Sequence, residues 1–132
     1  MITSTIQSVI SADLHTVWKA VTSLDDCTWR SDLSRIEIHD DKSFTEYTTG
    51  GIGTRFTVTA RKPYQRYEFD MENNNLSGHW TGIFRETEKG TEVIFSETVI
   101  VKRWWMRPLV KPYLKKQQAR YVTDLKRKCE PQ

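Results

Sequence analysis

Two polar side chains fall at positions where the pattern calls for apolar ones. Glu97 shares strand parity with Thr91, Val93, Phe95 and Val99, and Gln117 shares a helical stripe with Val110, Leu114, Tyr121 and Leu125. Burying an amide without partners costs about 2–7 kcal/mol, and an isolated carboxylate more. Both residues therefore need either partners or a hollow that tolerates polarity. A carboxyl group in an apolar hollow has its pKa raised, which suits proton transfer near neutral pH. Glu97 is thus a candidate acid or base. Glu46 is a second, although the parity of its strand is not fixed by the pattern. The competing reading of Glu97 is an ion pair with Lys or Arg at the rim of the sheet.

Other reactive side chains give less. His79 points away from its neighbour Trp80, His15 lies off the apolar positions of its helix, and His39 ends a strand, so all three read as uncommitted surface residues. Cys27 and Cys129 stand alone, without metal-ligand spacing, which argues against a zinc site or a disulfide framework and for reduced thiols in a cytoplasm. No metal and no cofactor is called for, and no nucleophile–His pair can be read from spacing.

The elements that position these residues follow from periodicity. Thr3 to Ile10 alternates as a strand. Ser11 is placed to cap a helix from Ala12 to Thr22, with Leu14, Val17, Trp18 and Val21 at helical spacing. A polar turn around Trp29 follows. Period two then returns in Ser34 to His39, Ser43 to Thr48, Thr54 to Ala60, Gln65 to Met71, Gly78 to Glu86 and Glu92 to Val101. Short turns such as Asp40-Asp41, Asn73-Asn74-Asn75 and Lys89-Gly90 separate them, which implies antiparallel pairing. A helix from Leu109 to Lys128 closes the chain. The order strand, helix, six strands, helix predicts an α+β fold: a seven-stranded curved antiparallel sheet around a long C-terminal helix, in one domain spanning residues 1–132.

Composition narrows the function classes. The 132 residues include fifteen aromatics, five each of Phe, Trp and Tyr, which enlarge the buried area of a chain that is only 37% hydrophobic. No run approaches the ~20 apolar residues of a membrane span, and the first residues lack the basic and apolar regions of a signal peptide. From Lys102 onward ten Lys/Arg face only Asp124 and Glu130, a balance of +8 against −5 for the rest. A solvated basic helix face explains this segment better than nucleic-acid binding, because the body is acidic and no reading motif is present. Trp104 and Trp105 lie among these cations, and such side chains suit a membrane–water interface. Transient membrane contact is one reading of the pair; packing beneath the start of the helix is the simpler one.

The chain resembles the START-like superfamily, also called SRPBCC or helix-grip proteins, and most closely its polyketide cyclase/dehydrase-like branch. The resemblance rests on Ile6-x-x-x-Ile10 before Ser11-Ala12-Asp13-Leu14-His15-Thr16-Val17-Trp18, on Trp29, and on Gly53 ahead of Phe56 and Val58. Gly78-x-Trp80, Gly90-Thr91-x-Val93-x-Phe95 and Tyr121-x-x-Asp124-Leu125-Lys126 complete it. It covers essentially the whole chain, and it implies a hydrophobic cavity gripped between sheet and helix, with no catalytic signature to carry over.

Strand parity then nominates the lining. Phe56, Phe69, Trp80, Phe84, Phe95 and Glu97 come from the sheet; Tyr113, Gln117 and Tyr121 come from the helix; Trp29 is placed either at the mouth or as a core anchor for its loop. Gly78 and Gly82 flank Trp80 on its own side and are expected to leave room there. The expected function is binding, as carrier or sensor, of a small hydrophobic, aromatic or lipid-like molecule. The alternatives are a cyclase or dehydratase using a pocket carboxylate, and a protein- or membrane-interaction module. The oligomeric state and the ligand are not readable from the residues.

Overall fold

The computed structural model describes residues 1–131. Strand β1 (Ile2–Ile10) leads into α1 (Leu14–Thr22), and six strands follow: β2 (Leu33–Ile38), β3 (Ser43–Thr48), β4 (Gly53–Lys62), β5 (Arg66–Glu72), β6 (Leu76–Thr87) and β7 (Gly90–Val101). A single 3-10 turn, Trp104–Met106, then opens α2 (Arg107–Cys129). The sheet runs β1-β7-β6-β5-β4-β3-β2, antiparallel throughout. It is the expected α+β arrangement, a curved open sheet with a long C-terminal helix on its concave side.

Alternation decides which face is which. Tyr67 and Met71 on β5, Trp80 and Phe84 on β6, and Val93, Phe95 and Val99 on β7 are all buried on the inner face. Trp18 and Val21 of α1 and Val122 and Leu125 of α2 complete the main core, while Val99, Val110 and Leu114 form a smaller second one. The helix α2 packs over β1, β7 and α1. A helix that grips one flank of a curved sheet leaves its concavity over the other flank open.

Local chemistry sets several boundaries. The cap of α1 is Asp13, not Ser11: its carboxylate accepts from Thr16 N at 2.7 Å, and the helix starts at Leu14. This cap bond also holds the Asp13 carboxyl below the usual range. Pro108 stands in the first turn of α2, where its missing N–H costs nothing. At the β6–β7 hairpin Gly90 adopts φ +135°, and a Cβ there would overlap the carbonyl of Ile10. The next residue, Thr91, donates its hydroxyl to Ala12 O at 2.9 Å and ties the hairpin to the β1–α1 link.

Candidate functional site

Between the sheet, α2 and the loop joining α1 to β2 lies a cavity of about 200 Å³. Its floor is a stack of rings from adjacent strands. Phe44 and Phe56 stack at 5.0 Å, Phe69 meets Phe56 edge-on at 5.0 Å, and Trp80 lies parallel to Phe69 at 4.8 Å. Cross-strand register builds this stack, because Phe44 pairs with Phe56, and Phe69 with Trp80. Opposite, α2 supplies Tyr121, edge-on to Phe95 at 5.5 Å. Trp29, from the loop, meets the other edge of Tyr121 at 5.5 Å and also lines the cavity.

Two polar groups near this apolar space are placed differently. Glu97 lines it and makes no hydrogen bond or ion pair among the described residues; burial alone pushes its carboxyl up to about 7. The alternative of an ion pair at the sheet rim does not occur. Tyr67, only 1% exposed, has no partner within hydrogen-bond distance of its hydroxyl; burial raises its pKa, and the neighbouring Arg61 guanidinium opposes the rise. An unpaired buried hydroxyl costs on the order of 1–3 kcal/mol, but this one is closed off by packing, so the polar demand open to a ligand is that of Glu97.

At the loop side Arg30 is the organising residue, and sequence reasoning missed it. Its guanidinium forms a fork with Asp32, both bonds at 3.1 Å, and reaches Glu46 at 3.3 Å. It also lies 4.8 Å from the centre of the Tyr121 ring. Burial opposes the charge on Arg30, but the Glu46 and Asp32 carboxylates hold its pKa above the ordinary value. Burial raises the Glu46 pKa, with Arg30 opposing. Tyr121 is raised by burial as well. Glu46 is thus an ion-paired residue, whereas Glu97 is not. With two carboxylates on one guanidinium, Arg30 has no fork left for an anionic ligand.

The remaining nominated residues divide. Phe56, Phe69, Trp80, Phe95 and Tyr121 line the cavity. Phe84 does not: it packs on Trp18 at 5.0 Å, under α1, two inward positions along β6 from Trp80. Tyr113 is at the rim, half exposed, and accepts from Gln117 Nε2 at 3.2 Å. Gln117 lines the cavity, but the deeply buried amide is its neighbour Gln118, which accepts from Ser4 Oγ at 2.8 Å and donates to Ser4 O at 2.9 Å. Gly78 and Gly82 leave no spare room. A Cβ on Gly82 would come within 2.5 Å of Trp80 Cη2, and one on Gly78 within 2.6 Å of Thr98 O. The indole of Trp80 itself fills the space over Gly82.

The histidines are committed rather than free. His79, on the convex face, is clamped between Asp70 and Glu68 at 2.7 Å each; His15 bonds Tyr64 Oη at 2.9 Å and His39 bonds Thr45 Oγ1 at 2.7 Å. Both cysteines are free thiols, Cys27 lines the cavity, and burial pushes Cys129 up to about 11. Among the described residues no group of three His, Cys, Asp or Glu is placed to hold a metal ion. Trp104 and Trp105 do not pack beneath the helix; both are exposed, because the 3-10 turn carries them outward before α2 begins.

Comparison with known proteins fits this architecture. The model of the family described as polyketide cyclase / dehydrase and lipid transport matches residues 1–130. A START superfamily protein from Mycobacterium smegmatis superposes with a TM-score of 0.82 at 12% identity, covering 98% of this chain and 96% of that one. An uncharacterised protein from Bacillus thuringiensis gives 0.82 at 13% identity, over 96% and 97%. The Aha1 dimer from Colwellia psychrerythraea gives 0.77 at 18% identity, over 98% and 97%. At these identities the structures establish the fold and nothing finer. No curated protein matches the chain. The chain belongs to the polyketide cyclase/dehydrase and lipid transport family, and its fold is the START-like, ligand-binding one.

Proposed function

We propose that this family member binds one small, uncharged, ring-bearing or otherwise apolar molecule in the cavity between its sheet and α2, as a carrier or sensor. The observation that supports this most is the ring-lined hollow in which Glu97 has no hydrogen-bond partner. Size adds a bound. A cavity of about 150 Å³ accepts benzene, so about 200 Å³ suits one or two rings or a short acyl segment, not a whole diacyl lipid. Charge adds another. Arg30 gives its paired N–H groups to Asp32 and Glu46, so an anionic head finds no bidentate partner there; a hydroxyl or carbonyl finds a hydrogen bond at Glu97. The uncharged two-ring fluorophore 1-naphthylamine is a suitable probe. Saturable enhancement at one site per chain, lost in a variant with a filled cavity, is the expected result; enhancement that never saturates would refute the reading.

A second reading has its own support. A carboxyl group poised near 7 in an apolar cavity is the equipment of a general acid or base. A cyclase or dehydratase would use Glu97 in that role. Glu97→Gln would then abolish turnover of a candidate polyketide-like substrate while preserving probe binding, and unchanged turnover would remove Glu97 from the chemistry.

A further inference from the structure

We infer that the ridge formed by Trp104, Trp105, Leu109 and Tyr113 docks this protein on an anionic lipid surface. The four side chains are 82%, 55%, 62% and 53% exposed. Soluble chains rarely display two adjacent tryptophans in this way without a use for them. Leu109 and Tyr113 lie one turn apart at the start of α2, with Trp105 in the 3-10 turn before them, about 100° around the helix from Val110 and Leu114, which pack into the smaller core. Trp and Tyr are the residues whose rings settle at the headgroup level of a bilayer.

Charge identifies the partner. Residues 102–123 hold seven Lys/Arg and no Asp or Glu. Lys102 is paired with Glu72 at 3.0 Å and Arg120 is bonded to Ser31, but Arg103, Arg107, Lys111, Lys115 and Lys116 make no ion pair among the described residues. Five unneutralised cations around an exposed apolar row complement a surface that is both anionic and apolar beneath. That combination describes a membrane rich in acidic lipids better than an acidic protein, which would leave the tryptophans unburied. A second copy of this chain is disfavoured because it would bring the five cations of each ridge together.

The ridge also abuts the cavity. Tyr113 belongs to both, and Leu114 and Gln117, on the following positions, line the hollow. A bilayer in contact with the ridge would therefore lie against one edge of the site. Docking through this ridge does not depend on what the cavity holds.

Co-sedimentation of the full chain with phosphatidylcholine vesicles, with and without phosphatidylserine, tests it. The expected result is binding to the phosphatidylserine vesicles at low salt, weakened at high salt. Trp104→Ala/Trp105→Ala and Lys111→Gln/Lys115→Gln/Lys116→Gln should each bind at least about tenfold more weakly, with unchanged circular dichroism, since none of these side chains is buried. Three results overturn the inference: no binding to either vesicle at low salt, wild-type affinity in the double tryptophan variant, or a concentration-dependent dimer that shields the ridge.

Discussion

Trp80 and Glu97 sit directly opposite one another on β6 and β7, so the aromatic stack on the cavity floor ends beside a carboxyl group that nothing else satisfies. The indole lies flat against Phe69, 4.8 Å between ring centres. Such ring pairs contribute roughly 0.5–1.5 kcal/mol beyond burial. The rings and the carboxyl group together define the site: apolar contact over most of its wall, with one strong polar demand.

Glu97 makes stability depend on pH in an unusual direction for a carboxylate. Its folded pKa, about 7, lies above the ordinary 4.5. Between these values the folded chain holds a proton that the unfolded chain has released, so stability falls as pH rises through this window and is flat above it. Glu97→Gln removes the penalty. The variant should melt higher than wild type at pH 8, by no more than about 3 kcal/mol of stability, and nearly equally at pH 4.5. Thermal unfolding at the two pH values checks this; an equal shift at both would place Glu97 in a different environment.

Arg30 is expected to be the most costly cavity residue to lose. Removing it leaves Glu46 buried and unpaired, and breaking such a pair typically costs about 3–5 kcal/mol. Arg30→Ala should destabilise on that scale, and adding Glu46→Gln should restore a substantial part. Urea denaturation of the single and double variants measures the coupling. Additive losses would mean that the two groups do not interact.

Gly82 tests how the floor is packed. A methyl group there would strike the Trp80 ring and drive the indole into the hollow. Gly82→Ala should cost about 1–3 kcal/mol by overpacking and abolish saturable binding of the naphthylamine probe. Undiminished binding in a folded variant would show that Trp80 has somewhere else to go.

On the convex face, His79 should titrate above its ordinary 6.5. Its hydrogen bond to Asp70 is the main cause, burial opposes, and Glu68 adds to the rise. The charged ring stabilises the fold fully below 6.5, and that contribution fades as pH rises through the folded pKa. A proton NMR titration of the imidazole reads this directly; a midpoint at or below 6.5 would contradict the clamp.

Much of the fold was legible because strand alternation is a local signal. The Ser43–Thr48 strand was read to the residue, and the others to within two. Parity also put Glu97 on the inner face. The irregularity in β4 between Val58 and Ala60 left no trace in the pattern. Gln117 and Gln118 illustrate a limit of helical spacing, since steps of three and four from Leu114 are equally allowed. Only the position of Ser4 on β1 selects Gln118 for burial. Phe84 has the right parity, but parity says nothing of position along a strand, and α1 covers its end. Arg30 was invisible for another reason: its partners Glu46 and Tyr121 are brought to it by the closing of the sheet and α2. Gly82 misled because an absent side chain looks like space until the neighbouring indole is seen lying in it.

The central claim is that the hollow between sheet and helix is a binding site, and native mass spectrometry of freshly purified protein tests it most directly, since apolar ligands often survive purification. The account predicts an added mass of a small uncharged molecule, one per chain, on the wild type, and bare protein for Gly82→Ala prepared alongside. Bare wild-type protein that also takes up no mass from an extract of its own host's apolar metabolites would contradict it.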